Sequence, residues 1–221
     1  MTTETKTRAD SIQPLLERLD ACGDARKWAR QRTLAEAWSE CPRGDWLLWL
    51  AGRLGIDRRV LVAATCAVVR PALRYVPAGE DRPRLAIEAA EAGARGEEGV
   101  TLERVRWAAA DAYDAAADAY DAAAYATEAA AYAAYAAAYA TEAAAYAADA
   151  ARTAAYATEA AADAAEAAAE AASDDDADDA GPDAAAGTDA RVASLAASAD
   201  LVRQHIPSHY IDALAAEVEA E

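Results

Sequence analysis

The sequence predicts an all-α fold, a multi-helix bundle with a long Ala/Tyr-rich helix or helical hairpin, and three observations predict it. Alanine fills 72 of 221 positions, and no residue has a higher intrinsic helix propensity. β-Branched residues are few outside short runs, which argues against strands. Start and stop signals of helices recur along the chain. Ten glycines, seven prolines and no Gly-X-Y period exclude collagen-like and flexible-linker classes.

The first hundred residues read as short helices with recognisable ends. Leu15 to Leu19 follows Pro14, a residue tolerated in a helix's first turn. Gly23 then breaks the chain. Thr33 and Glu36 have the spacing of a capping box, in which each side chain satisfies the other's backbone donor. That helix carries Trp38 and stops near Pro42. Asp45 is placed to cap the next, Trp46 to Leu54, whose apolar run suits the middle of a bundle. Asp57 starts a helix through Val60 to Val69, with a kink or stop at Pro71. Asp81 precedes Pro83 and a helix through Ala94, closed by Gly96. Residues 1–100 thus make an N-terminal helical core.

From Thr101, a good N-cap, the character changes. Residues 108–172 hold 41 alanines, eight tyrosines and no Leu, Ile, Val, Met, Phe or Trp. Tyr125, Tyr132, Tyr139 and Tyr146 recur at seven-residue intervals. On a helical wheel over 111–157, every tyrosine falls within an arc of roughly 140°, and the opposite face is alanine alone. An alanine face lets a neighbouring helix approach closely, so it is read as a packed seam. The tyrosine face is a second seam or a presented surface. One straight helix over 101–172 would be roughly 108 Å long, so a hairpin is expected, although no residue marks its turn. Residues 173–188 read as an acidic linker: Asp174, Asp175, Asp176, Asp178 and Asp179 repel one another, while Gly181, Pro182 and Gly187 oppose helix. Asp189 is read as the cap of a helix bearing Val192, Leu195, Leu201 and Val202. Pro207 ends it, and a last helix carries Tyr210, Ile211, Leu214 and Val218. In this reading residues 189–221 pack back on the core.

Charge divides the chain as sharply as alanine does. Residues 1–100 carry 16 basic and 15 acidic groups, a net +1, and residues 101–221 carry 5 and 24, a net −19. A field of that sign repels nucleic acid and anionic membrane and speeds association with a basic protein. It also keeps an alanine-rich surface soluble. Cys22, Cys41 and Cys66 are odd in number and form no CxxC pair, which fits reduced thiols packed as small hydrophobes. Residues 1–10 are polar, so no secretory signal is expected, and Val60 to Val69 is half the length of a membrane span. These features predict a cytoplasmic protein.

The densest cluster of unusual residues is Trp38, Cys41, Arg43, Gly44, Asp45, Trp46 and Trp49. A cysteine near an arginine can be a nucleophile of lowered pKa, but no histidine lies nearby in sequence to serve as base. The cluster reads as a structural corner. His205 and His209 stand four apart, a metal-ligand spacing on a helix, but Pro207 lies between them. The aspartate run lacks the glycine and terminal glutamate of a calcium loop. No metal, no cofactor and no catalytic residue are therefore expected. The tyrosine ladder is the candidate partner surface: Tyr125, Tyr132, Tyr135, Tyr139 and Tyr146, flanked by Asp114, Asp121, Glu128 and Glu142. Tyrosine offers large contact area with a polar tip.

The run Ala37-Trp38-Ser39-Glu40-Cys41-Pro42-Arg43-Gly44-Asp45-Trp46-Leu47-Leu48-Trp49-Leu50 resembles the opening of a bacterial and phage family of immunity proteins, the immunity-protein-five-like domain. Asp81-Arg82, Ala86-Ile87-Glu88-Ala89-Ala90-Glu91, the Ala/Tyr/Asp tract and Ala199-Asp200-Leu201-Val202-Arg203 follow in the same order. The resemblance spans nearly the whole chain. It implies neutralisation of a cognate toxin by direct binding, within a polymorphic-toxin system. The expected partner is a basic cognate toxin domain, with no nucleic acid and no membrane, and with oligomeric state left open. The alternative is a structural helical protein, phage-borne, that self-associates through its alanine seam without a toxin partner.

Overall fold

Thr33, Asp57 and Thr101 make the cap bonds expected of them in the computed structural model, which describes residues 11–119, 121–142, 147–174 and 184–220. Asp81 holds its cap position without a side-chain bond, and Asp189, read as a cap, lies inside a helix. The order is α1 (Gln13–Arg18), α2 (Gly23–Trp28), α3 (Leu34–Glu40), α4 (Gly44–Arg53), α5 (Arg58–Val69), a 3-10 turn over Arg70–Tyr75, and α6 (Arg82–Arg95). Then come α7 (Leu102–Asp118), α8 (Asp121–Glu142), α9 (Ala147–Asp174), α10 (Ala184–His205) and α11 (Ser208–Ala220). No strand occurs among the described residues, so the chain is an all-α multi-helix bundle.

Thr33 and Glu36 form the full capping box at α3. Asp57 accepts from the Arg59 amide at α5, and Thr101 from the Arg104 amide at α7. Pro71 converts the end of α5 into the 3-10 turn, since proline lacks the amide a continuing helix needs. Gly96 closes α6 at φ 69°, a left-handed conformation that glycine adopts at no steric cost.

Four expectations are corrected. Gly23 opens α2 instead of merely breaking the chain. Asp45 does not cap α4; Arg43 holds the cap position, and Asp45 sits in the first turn. The Ala/Tyr tract is neither one helix nor one hairpin but three helices, α7 to α9, the first ending at Asp118 and the second at Glu142. A wheel phase cannot run from one helix into the next. Finally, α10 begins at Ala184, so Gly187 lies inside a helix, where its buried backbone meets the side chain of Glu170 on α9.

Two adjoining cores result. In the first, α1, α3, α4, α5 and the C-terminal helices bury Leu15, Leu16, Leu47, Leu48, Leu61, Val202, Ile206 and Ile211. Val202, Ile206 and Ile211 of the C-terminal helices thus lie in this core, whereas Val192, read as part of the α10 stripe, is 57% exposed. The second surrounds α8, which packs against α5, α6, α7 and α9. Its interior is Ala126, Ala129, Ala130, Ala131, Ala133, Ala134 and Ala138, with Ile87, Val62 and Val105 from neighbouring helices. At about 100° per residue these buried alanines cover roughly 200° of α8. The alanine face is therefore the packed seam, and a wide one. No helix among the described residues is long and apolar enough to cross a membrane.

Candidate functional site

The tryptophan-rich corner is held together from three directions. Asp45 is 2% exposed and receives both arms of Arg43, Nε to Oδ1 at 2.7 Å and Nη2 to Oδ2 at 2.5 Å. The same guanidinium reaches Glu159 of α9 at 3.1 Å. Asp45 raises the affinity of Arg43 for its proton, against the opposing effect of burial. From α10, Arg203 donates to the Trp38 carbonyl at 2.9 Å and to the Cys41 carbonyl. Those carbonyls belong to the C-terminus of α3, where helical acceptors lack partners of their own. Gly44 must be small: a Cβ there would stand 2.6 Å from Ser198 Cβ and 2.9 Å from the Ala199 amide nitrogen. Gly52 plays the same part against Ala151, with 2.4 Å to its Cβ.

The corner supports no nucleophile. Burial pushes the Cys41 thiol up to about 11, and Cys66 up to about 12. A thiol so shifted stays protonated near neutral pH. His205 lies in the last turn of α10 and His209 in the first turn of α11. Their four-residue spacing therefore does not share one helical face. No group of three metal-ligating side chains occurs among the described residues.

The tyrosine ladder divides. Tyr146 lies outside the described residues, and the side chains of Asp121, Tyr139 and Glu142, though on α8, lie outside what the structure describes. Tyr125 is 41% exposed, while Tyr132 and Tyr135 are half-buried against the second core. Tyr132 donates to Glu128 Oε1 at 2.9 Å, and its ring lies 6.0 Å from that of Tyr156 on α9. Desolvation, then the Glu128 bond, pushes the Tyr132 hydroxyl up to about 12, and the proximity of Tyr113 and Tyr156 adds to the shift. Spatially the group is Tyr113, Tyr132 and Tyr156, one from each of three helices, and not a single ridge. Sequence reading leaves Tyr113 and Tyr156 out because it follows a seven-residue spacing along one helix. Tyr-Ala-Thr-Glu occurs at Tyr125, Tyr139 and Tyr156, and the third copy, out of step with the first two, is the signal for a separate helix.

The outer face of α7 adds a feature that the sequence reading does not single out. Trp107 is 65% exposed. Asp111, Asp114 and Asp118 are exposed as well and follow it at i+4, i+7 and i+11, so all four share one face. Beside Tyr156 a second aromatic feature opens, a cavity of about 310 Å³ between α2, α4 and α9 lined by Trp28, Trp46 and Trp49. Comparison with family models, curated proteins and solved structures gives no match.

Proposed function

We propose that this protein is a non-enzymatic inhibitor, an immunity protein that neutralises a basic cognate toxin domain in the cytoplasm by covering its surface. The observation that carries the reading is the outer face of α7. An exposed tryptophan in line with three exposed aspartates is costly to leave in water and suits an interface with a cationic partner. The net −19 of residues 101–221 accelerates encounter with such a partner. Tyr113, Tyr125 and Tyr156, all at least two-fifths exposed, widen the aromatic surface, and the resemblance around Trp38 to Trp49 points the same way. The buried thiols of Cys41 and Cys66 favour a binding protein over a thiol enzyme.

The alternative, self-association through the alanine seam, has less to stand on. Ala129, Ala130, Ala131, Ala133 and Ala134 are each 0% exposed within the single chain, so that seam is already filled.

Binding to the product of the neighbouring reading frame tests the proposal. Affinity should fall steeply between low and high salt. Trp107→Ala should weaken the complex about 30-fold, and neutralising Asp111, Asp114 and Asp118 together should slow association. A salt-independent complex, or one indifferent to both changes, overturns the reading.

A further inference from the structure

We propose that Tyr113, Tyr132 and Tyr156, together with Glu128, form a seat for one lysine ammonium of the basic partner. The inference rests on the partner-binding reading and names the group that the tyrosines recognise. The three rings come from α7, α8 and α9, so the tertiary fold assembles them and no single helix face does. Tyr132 and Tyr156 lie 6.0 Å apart and are tilted by 51°. Tyr113 is close enough to act on the Tyr132 hydroxyl. Tyr113 and Tyr156 keep their rings half-exposed to solvent. A cation is attracted to the face of an aromatic ring within about 6 Å of its centroid, and several rings around one cation make a cage for it.

The contrast with the tryptophan corner shows which aromatic group is open to a cation. At the corner, Arg32, Arg43 and Arg53 already stack on Trp28, Trp46 and Trp49. Among the described residues no arginine lies over Tyr113, Tyr132 or Tyr156. Arg152, one turn before Tyr156 on α9, is held by Asp149 at 2.6 Å. Glu128 forms no ion pair among the described residues, and its Oε1 accepts from the Tyr132 hydroxyl at 2.9 Å. The second carboxylate oxygen is left for an incoming donor. A single oxygen suits the compact ammonium of lysine, whereas the guanidinium fork of arginine favours two parallel bonds to a carboxylate. All four residues belong to the half of the chain that carries a net −19, whose field draws cations toward them.

Three peptides test the seat: acetyl-Gly-Lys-Gly-amide and its counterparts with norleucine and with arginine. Each is titrated into the full chain at low salt and followed through the ring resonances of isotope-labelled tyrosine. Tyr113→Phe, Tyr132→Phe and Tyr156→Phe assign those resonances. The lysine peptide should shift all three rings and saturate, and the norleucine peptide should leave them in place. The arginine peptide should bind about threefold more weakly. Tyr156→Ala should weaken the lysine peptide about fivefold, while Tyr156→Phe, which keeps the ring face, should bind as the parent does. Glu128→Gln, which still accepts from Tyr132, should weaken it about threefold. Equal shifts with norleucine, an arginine peptide as tight as the lysine one, or a lysine affinity unchanged in folded Tyr156→Ala and Glu128→Gln would each overturn the seat. If the lysine peptide moves none of the three rings while Trp107→Ala still weakens the partner complex, the seat falls and the partner-binding reading stands. A partner complex indifferent to salt and to Trp107→Ala overturns that reading and the seat with it.

Discussion

The two cores of this chain adjoin one another and are built on opposite principles. Around α1, α3 and α4 the interior is filled by leucines, isoleucines and a buried tryptophan, so helices stand apart and large side chains occupy the space between them. Around α8 the filling is alanine; the helices themselves approach, and their backbones supply the packing that side chains supply elsewhere. Glycines mark where the two principles meet. Gly44 admits α10 and Gly52 admits α9 against the leucine-rich α4. A core of the first kind is vulnerable to subtraction, one of the second to addition.

That contrast yields the largest predicted effects. Leu48, fully buried in α4, should cost about 4 kcal/mol when cut to alanine, through lost burial and the cavity left behind. Ala130, equally buried in α8, should cost about 3 kcal/mol when enlarged to leucine, because α8 has neighbours on most of its circumference and none can yield alone. Urea unfolding of the two variants checks both values. If Ala130→Leu stayed within about half a kcal/mol of the parent, the alanine core would be loosely packed and the comparison would fail.

A smaller effect is expected where a polar link ties the cores together. Asp45→Ala leaves Arg43 only Glu159 to face, and the part-buried guanidinium loses two charge-assisted bonds. The loss should be about 2 kcal/mol. A double-mutant cycle with Glu159→Gln measures how much of it is shared between α4 and α9; a coupling of zero would make the two cores independent.

High pH should weaken both cores in a graded way. The thiols of Cys41 and Cys66 and the hydroxyl of Tyr132 all titrate higher in the folded chain than their ordinary values, chiefly through burial. The folded state therefore holds protons that the unfolded chain releases first, and stability falls as pH rises. For the thiols the decline starts near their ordinary value of 9.0 and runs to about 11 for Cys41 and about 12 for Cys66. The second core should thus carry the longer decline. Cys41→Ser and Cys66→Ser, melted across that range, separate the two; identical profiles for parent and variants would refute the assignment.

What the sequence revealed follows the same division. Local chemistry was legible: Thr33, Asp57, Thr101, Pro71 and Gly96 each mark an end by a bond or a backbone angle that depends on near neighbours alone. The helix ends at Asp118 and Glu142 were not, because alanine is compatible with helix everywhere and carries no stop signal. Losing those ends misplaced the tyrosines, since a seven-residue spacing has meaning only along one helix. Trp107 was not singled out for a related reason: nothing in composition marks a tryptophan as exposed, and only its aspartate neighbours at i+4, i+7 and i+11 place it outside. The Trp38–Trp49 corner was readable as structural, but its cavity was not, for α2 and α9 are distant in sequence from α4.

The smallest predicted effect compares how each region begins its helices. Thr33 and Glu36 exchange two bonds at the start of α3, with the Thr33 amide donating to Glu36 at 2.8 Å and the Glu36 amide to Thr33 at 3.2 Å. Thr101 supplies one bond, from the Arg104 amide at 3.2 Å. α3 has seven residues and α7 has seventeen, so a lost first turn is a larger share of α3. α7 also has alanines to sustain it without a cap. Thr33→Ala should therefore cost about 1 kcal/mol and Thr101→Ala about half that. Amide exchange gives a local reading of each: protection should drop through the whole of α3 in the first variant and only over the first turn of α7 in the second. Equal fraying in both helices would mean that alanine content does not stabilise the second half of the molecule independently of its caps.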